Sequence, residues 1–227
     1  LILVMLAAGI LWLFIKQNLK STIAIMALGA LILFDLVSVD KRYVNNDDFK
    51  TATKVDKPFV ASEVDKEILK DTMYYRVANF IVDPMNDGST SYFHKSIGGY
   101  HAAKMGIYQE LFDFQIAKNN IQVLNMLNTK YFVFEDGSRR ETVQPNPDAN
   151  GNAWFVNTIK TVENANEEII ALDSLRTKNE AVITLDRVSN DFKTEYPKDS
   201  LASIVLTSYK ANELIYESNS TGNQFAV

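Results

Sequence analysis

LILVMLAAGILWLFI (residues 1–15) and TIAIMALGALILFDLVSV (residues 22–39) decide how the rest of this chain is read. The first run is unbroken apolar sequence, about 15 residues long, short of the roughly 20 that a helix needs to cross a bilayer. It opens without an initiator Met or a charged leader, and it is read as the tail of a longer helix cut by the fragment boundary. A signal peptide would carry basic residues before the apolar run and small residues at a cleavage site after it. The second run is about 18 residues long and holds one charge, Asp35. KQNLKS (residues 16–21) joins the two and leaves room only for a tight turn between antiparallel helices. Residues 1–39 are therefore expected to form a transmembrane helical hairpin in the lipid bilayer, the end of a larger membrane block.

Lys16 and Lys20 lie in the short connection with no acid beside them, and positive loops stay cytoplasmic. This places the polar remainder outside the cytoplasm, although Asp40, Lys41 and Arg42 flank the other end of the hairpin. Asp35 sits about a turn from that end. An acid within a membrane helix faces a bundle interior, a cavity or headgroup water, so Asp35 reads either as an interfacial packing contact or as the lining of a cavity.

Removing the charges of residues 1–39 from the chain's 23 basic and 28 acidic residues leaves 21 and 27, a formal charge of −6. No basic run suits a phosphate backbone, which argues against nucleic acid as a partner. Cysteine is absent, so thiolate nucleophiles, thiolate metal sites and disulfides are excluded. After a polar connection, Ser62 reads as the N-cap of a helix over EVDKEILKDTMYY, with Val64, Ile68 and Met73 near one face. RVANFIV (76–82) reads as a strand and residues 83–90 as a loop. A helix is expected from Gly99 to about Lys118, with Ile107, Leu111, Phe112 and Phe114 as its apolar stripe, and a second over 121–127. Strands follow at 130–134, 153–156, 158–162, 181–185, 202–209, 213–217 and 224–227, with a helix over 166–175. Asp136-Gly137 and residues 146–151 read as turns, and Lys210-Ala211-Asn212 as a hairpin connection. The fold class is a membrane α-helical hairpin followed by an extracytoplasmic α+β domain, β-rich toward its C-terminus. Its expected divisions are 1–39, 40–190 and 191–227, the last a truncated start of a β-rich domain.

SYFHKSIGGYHAAK (91–104) contains both histidines of the chain, seven residues apart around Gly98-Gly99. Histidine switches charge near neutral pH and can donate, accept or ligate. A metal site would use His94, His101 and an acid such as Asp83 or Asp87, but the glycine pair breaks a common helix face and no HExxH-like spacing occurs, so no metal is assigned. There is no G-x-S-x-G elbow, no P-loop and no Rossmann glycine pattern. Groups suited to a sugar or a phosphate are better represented. Tyr92, Phe93, Tyr100, Tyr108 and Trp154 offer flat apolar faces, while His94, Lys95, His101, Lys104, Asn125 and Asn128 offer hydrogen bonds and positive charge. Core packing is the competing reading for Trp154 and Phe155.

SYFHKSIGGYHAAK (91–104), VLNMLNTKYFV (123–133) and NPDANGNAWFV (146–156), with FDLVSVDKRYVNNDDF (34–49) at the membrane junction, together resemble the YfhO-like bacterial membrane proteins. The resemblance implies an internal fragment of a polytopic, multi-membrane-spanning glycosyltransferase in the bacterial cytoplasmic membrane. Such an enzyme takes a sugar from a polyprenyl-phosphate carrier and gives it to a cell-envelope glycan acceptor on the outer face. It implies that the catalytic acid lies in an earlier external loop, outside this chain, and it leaves the cofactor unassigned. Tyr92, His94, Lys95, Tyr100, His101, Lys104 and Asn128 are then the candidates for contacting carrier or acceptor, and loss of His101 or Lys104 is expected to abolish envelope glycosylation. Two other readings stand beside it: a non-catalytic anchored module that binds glycan or scaffolds a complex, and a translocation component with Asp35 lining the pathway.

Overall fold

The computed structural model describes residues 1–189 and 191–227. The chain divides into two compact units, Leu1–Val60 and Ala61–Val227. The expected domain boundary at residue 190 falls on the residue outside the described set.

In the first unit, α1 (Ile2–Ile15) and α2 (Ser21–Asp40) pack against each other across a short turn. The turn closes as a Schellman motif: Gln17 N–H donates to Phe14 O and Asn18 N–H to Leu13 O, with Gln17 in the left-handed region at φ 59°. The helices are apolar on all sides, and of their side chains only Ala24 is buried. With 20 residues, α2 is about 30 Å long and is long and apolar enough to cross a membrane, whereas α1 is shorter at 14 residues. Asp35 is exposed on α2 and makes no ion pair or hydrogen bond among the described residues. After a capped 3-10 turn at Asn46–Asp48, a single turn of helix, α3 (Ala52–Asp56), follows.

The second unit opens with α4 (Glu63–Ile68), capped reciprocally by Ser62 and Asp65. The helix ends at Ile68, short of Met73, which belongs to the expected stripe but is exposed. Two sets of contacts stop it: Met73 N–H donates to Asp71 Oδ1, and the Tyr75 hydroxyl donates toward Ile68 O and Asp71 O. β1 (Arg76–Asn79) follows, shorter than the expected strand, then α5 (Ser89–Phe93), α6 (Gly106–Leu111) running into a π-turn at Phe112–Ile116, and α7 (Ile121–Met126). The helix expected from Gly99 begins only at Gly106. Gly99 N–H is held by Pro84 O and Gly99 has φ +127°, which keeps this stretch out of helical geometry.

β2 (Thr129–Glu135) and β3 (Glu141–Pro145) form an antiparallel hairpin about the Asp136-Gly137 turn, and β1 runs parallel to β2. Lys95 to Ile97 pairs with Val77 on the free edge of β1. Because side chains alternate across a sheet, Val77 and Val133 meet Val64 and Ile68 of α4 on one face. Ala78 meets Ile97, Ile116, Val123 and Leu124 on the other. The strands β4 (Phe155–Val156) and β5 (Thr158–Val162), then α8 (Ala165–Ala171) and β6 (Glu180–Thr184), add a parallel β5–β6 pair. Leu172 and Leu175, between α8 and β6, close the second core face. β7 (Ser203–Lys210) and β8 (Glu213–Asn219) make a largely exposed hairpin with a bulge near Thr207, and β9 (Phe225–Ala226) pairs with β4.

Candidate functional site

The α4 N-terminus builds the first part of the site. Asp65 accepts Ser62 N–H through Oδ2 at 2.8 Å, and its Oδ1 lies 2.8 Å from His94 Nε2. The His94 side chain is 2% exposed. His94 follows α5, with its N–H on Thr90 O, so the pair ties α4 to α5. The histidine is thus committed to a carboxylate inside the fold. His101 is separate: it is exposed, and its Nδ1 accepts Ala103 N–H at 3.0 Å. Lys104 Nζ donates to Met85 O at 2.6 Å, and Tyr100 is exposed. The seven-residue histidine spacing therefore does not produce a common site, and among the described residues no three His, Asp or Glu side chains gather as metal ligands.

Tyr92, His94 and Lys95 do come together, lining a cleft of about 350 Å³ with Asp71 and Tyr75. Asp71 accepts Tyr131 Oη–H at 2.8 Å, Met73 N–H at 3.0 Å and the Lys130 ammonium. Burial pushes its pKa up, but these donors outweigh it and hold the carboxyl below its usual range. Burial, together with Asp71, pushes the Tyr131 phenol up to about 12. A carboxylate so well supplied with donors serves as a structural hub and makes a poor proton acceptor.

Asn128 lines a second cleft of about 220 Å³, with Tyr74, Arg76, Asn152, Trp154 and Tyr209 among its walls. Local geometry places each part. Asn128 follows α7 in the left-handed region at φ 55°, which a short amide side chain tolerates. Its Nδ2 donates to Tyr74 O at 2.9 Å and to Asn152 Oδ1 at 3.0 Å, while its own carbonyl accepts Arg76 N–H at 2.9 Å. The loop carrying Asn152 is anchored by buried Asn125 and Asn146, whose amides bond at 2.8 Å. Trp154 Nε1 donates to Thr177 O at 2.7 Å. Tyr209 reaches across from β7: its ring centroid is 4.2 Å from that of Tyr74 and the two hydroxyls are 3.0 Å apart. Burial, then the Tyr209 hydrogen bond, raises the Tyr74 pKa.

Lys95 links the clefts, since it lines the first while its Nζ stands 4.6 Å from the centroid of the Tyr74 ring in the second. A third, apolar cavity of about 630 Å³ between α6 and α8 shares Met126 and Trp154 with the second cleft. Tyr74, Arg76, Asn152, Tyr209 and Tyr216 escaped the sequence reading. The Tyr74-Tyr75 pair before β1 is the one local signal for them, because the cleft joins residues far apart in the chain. Comparisons with protein-family models, with curated proteins and with solved structures find no match.

Proposed function

We propose that this chain is the membrane-anchored, extracytoplasmic part of a glycosyltransferase-like protein and that its second cleft holds one sugar unit of an envelope glycan acceptor. The observation that carries the reading is the wall composition of that cleft. Trp154, Tyr209 and Tyr216 supply apolar faces for the C–H surfaces of a pyranose ring, with Tyr74 packed behind Tyr209. Asn128 Oδ1 and Asn152 Nδ2 have no protein partner among the described residues, so the amide pair keeps one acceptor and one donor for neighbouring ring hydroxyls. Among the described residues no carboxylate lines this cleft. That supports binding as its contribution, with the transfer step and the polyprenyl-phosphate-linked sugar handled by other parts of the protein. The same observation favours, as a second reading, an anchored glycan-binding module without catalysis.

The all-round apolar helices support anchoring, because a helix apolar on every side suits lipid better than water. The absence of cysteine makes topology directly testable. In intact cells an impermeant maleimide is expected to label Ser138→Cys in the β2–β3 turn and to spare Asn18→Cys in the α1–α2 turn. The opposite pattern would overturn the orientation. For the cleft, saturation-transfer NMR on the full chain in nanodiscs is expected to show contact with neutral oligosaccharides that Tyr209→Ala and Asn152→Ala each abolish. Unchanged transfer in both variants would remove the cleft from the account.

A further inference from the structure

Arg76 is half-buried in the second cleft, yet among the described residues its guanidinium has neither an ion pair nor a hydrogen bond. Several other cations of this unit have a carboxylate partner. Lys130 pairs with Asp71, Lys160 with Glu180 at 3.0 Å, and even exposed Arg140 takes Asp136 at 3.0 Å. A half-buried guanidinium at a cleft wall without a counter-charge is free to pair with a ligand anion. Among the described residues no acid lines the cleft to fill the role. Burial pushes the Tyr74 and Tyr108 phenols up, and the Arg76 charge pulls both back, so it is felt on two sides. Its backbone is fixed at the start of β1 by Asn128 O, so the side chain has a rigid base beside the amide pair. A planar guanidinium accepts a carboxylate through two parallel hydrogen bonds.

We propose that the cleft of Tyr74, Trp154 and Tyr209 selects an acidic pyranose, a hexuronate whose ring carboxylate is gripped by Arg76. The inference rests on the glycan reading above and adds the charge of the sugar. A volume of about 220 Å³ equals on the order of seven water molecules, enough for a single ring. A carboxylate carried on the ring in place of a hydroxymethyl adds no bulk, whereas a pendant phosphate does. Lys95, whose Nζ stands 4.6 Å from the Tyr74 ring centroid, adds a second positive charge beside the cleft.

Isothermal titration of the full chain in nanodiscs tests this with four probes: trigalacturonate, neutral galactotriose, galactose 6-phosphate and inorganic phosphate. Trigalacturonate is expected to bind about tenfold or more tighter than galactotriose, as a charge-assisted pair contributes. Arg76→Gln is expected to erase that preference by lowering trigalacturonate affinity about tenfold or more, without lowering the thermal midpoint, since the side chain makes no hydrogen bond or ion pair in the fold. Arg76→Lys should retain part of it, with one donor in place of a fork. Equal affinity for the acidic and neutral trisaccharides, or a preference that survives Arg76→Gln, would overturn the inference and leave the glycan reading standing. Tighter binding of galactose 6-phosphate or of inorganic phosphate would overturn the carboxylate assignment. Binding of neither trisaccharide would defeat the glycan reading itself.

Discussion

Replacing Gly98 with alanine is expected to destabilise the second unit more than its single added methyl group would indicate. A Cβ at Gly98 would lie 1.8 Å from Pro84 O and 2.7 Å from Pro84 C, both backbone atoms. Real Cβ atoms essentially never come within 3.0 Å of such neighbours, so the two segments must part by over an ångström. That movement breaks the 2.6 Å bond from Gly99 N–H to Pro84 O and loosens the strand-like stretch that pairs with Val77. A lost hydrogen bond contributes about 1 kcal/mol and forced overpacking about 1–3 kcal/mol, giving about 3 kcal/mol together. For a unit of this size 1 kcal/mol moves the midpoint by roughly 2–4 °C, so the expected fall is on the order of 10 °C. The assay is thermal unfolding of the full chain in nanodiscs followed by near-ultraviolet circular dichroism. Gly88→Ala is the control, because nothing lies within 4 Å of a Cβ there, and it should shift the midpoint by at most about 2 °C. Equal midpoints for Gly98→Ala and Gly88→Ala would refute the steric argument.

The two histidines should behave oppositely in the same assay. His94→Ala strands the Asp65 carboxylate and should cost about 2 kcal/mol, whereas exposed His101→Ala should stay within about 0.5 kcal/mol; similar losses would contradict the assigned roles. The folded Asp71 carboxyl titrates below its usual 3.8, so its stabilising contribution is complete above that value and is lost as pH falls through the lower folded value. Midpoints measured from neutral pH downward should therefore drop more steeply in the wild type than in Asp71→Asn, and parallel slopes would count against the Asp71 hub. The Tyr131 phenol is raised from 10.0 to about 12, so its contribution is complete below the ordinary phenol value and disappears as pH rises through the folded one. In an absorbance titration at a tyrosinate wavelength, Tyr131→Phe should remove one phenol's worth of the late-ionising amplitude to which the raised Tyr74, Tyr75 and Tyr108 phenols also contribute; an unchanged late amplitude would rule it out.

Elements whose pattern is local were legible in the sequence. The apolar runs give α1 and α2, Ser62 marks the start of α4, the β-branched and aromatic density of residues 130–134 gives β2, and the β7–β8 connection falls where its turn residues stand. The α6 region shows what was not legible. Its buried face is Tyr108, Leu111, Phe112, Gln115 and Ile116, while Ile107 and Phe114 of the expected stripe are exposed. The reason is Gln115, a polar residue that pattern reading leaves outside. It is buried because its amide donates to Ile169 O at 2.7 Å and Asp173 Oδ1 at 2.8 Å and accepts from Asn120. β3 was missed because Glu141–Pro145 carries little apolar alternation and gains its order from pairing with β2. The site follows the same rule. Asn128 and Lys95 were named for their chemistry, but Arg76 and Tyr209 become neighbours of Asn128 only through tertiary structure. Histidine type alone could not separate His94, used up by Asp65, from a ligand-binding group.

The chain contains two tryptophans, Trp12 in α1 and Trp154 in the second cleft. Trp12→Phe therefore leaves Trp154 as a lone fluorescent reporter inside the proposed sugar site. Titrating that variant in nanodiscs with trisaccharides up to millimolar concentration is the most direct test of the central claim. A saturable change in Trp154 emission, abolished by Tyr209→Ala, is the predicted result. Emission that stays constant with every saccharide, acidic and neutral alike, would contradict it.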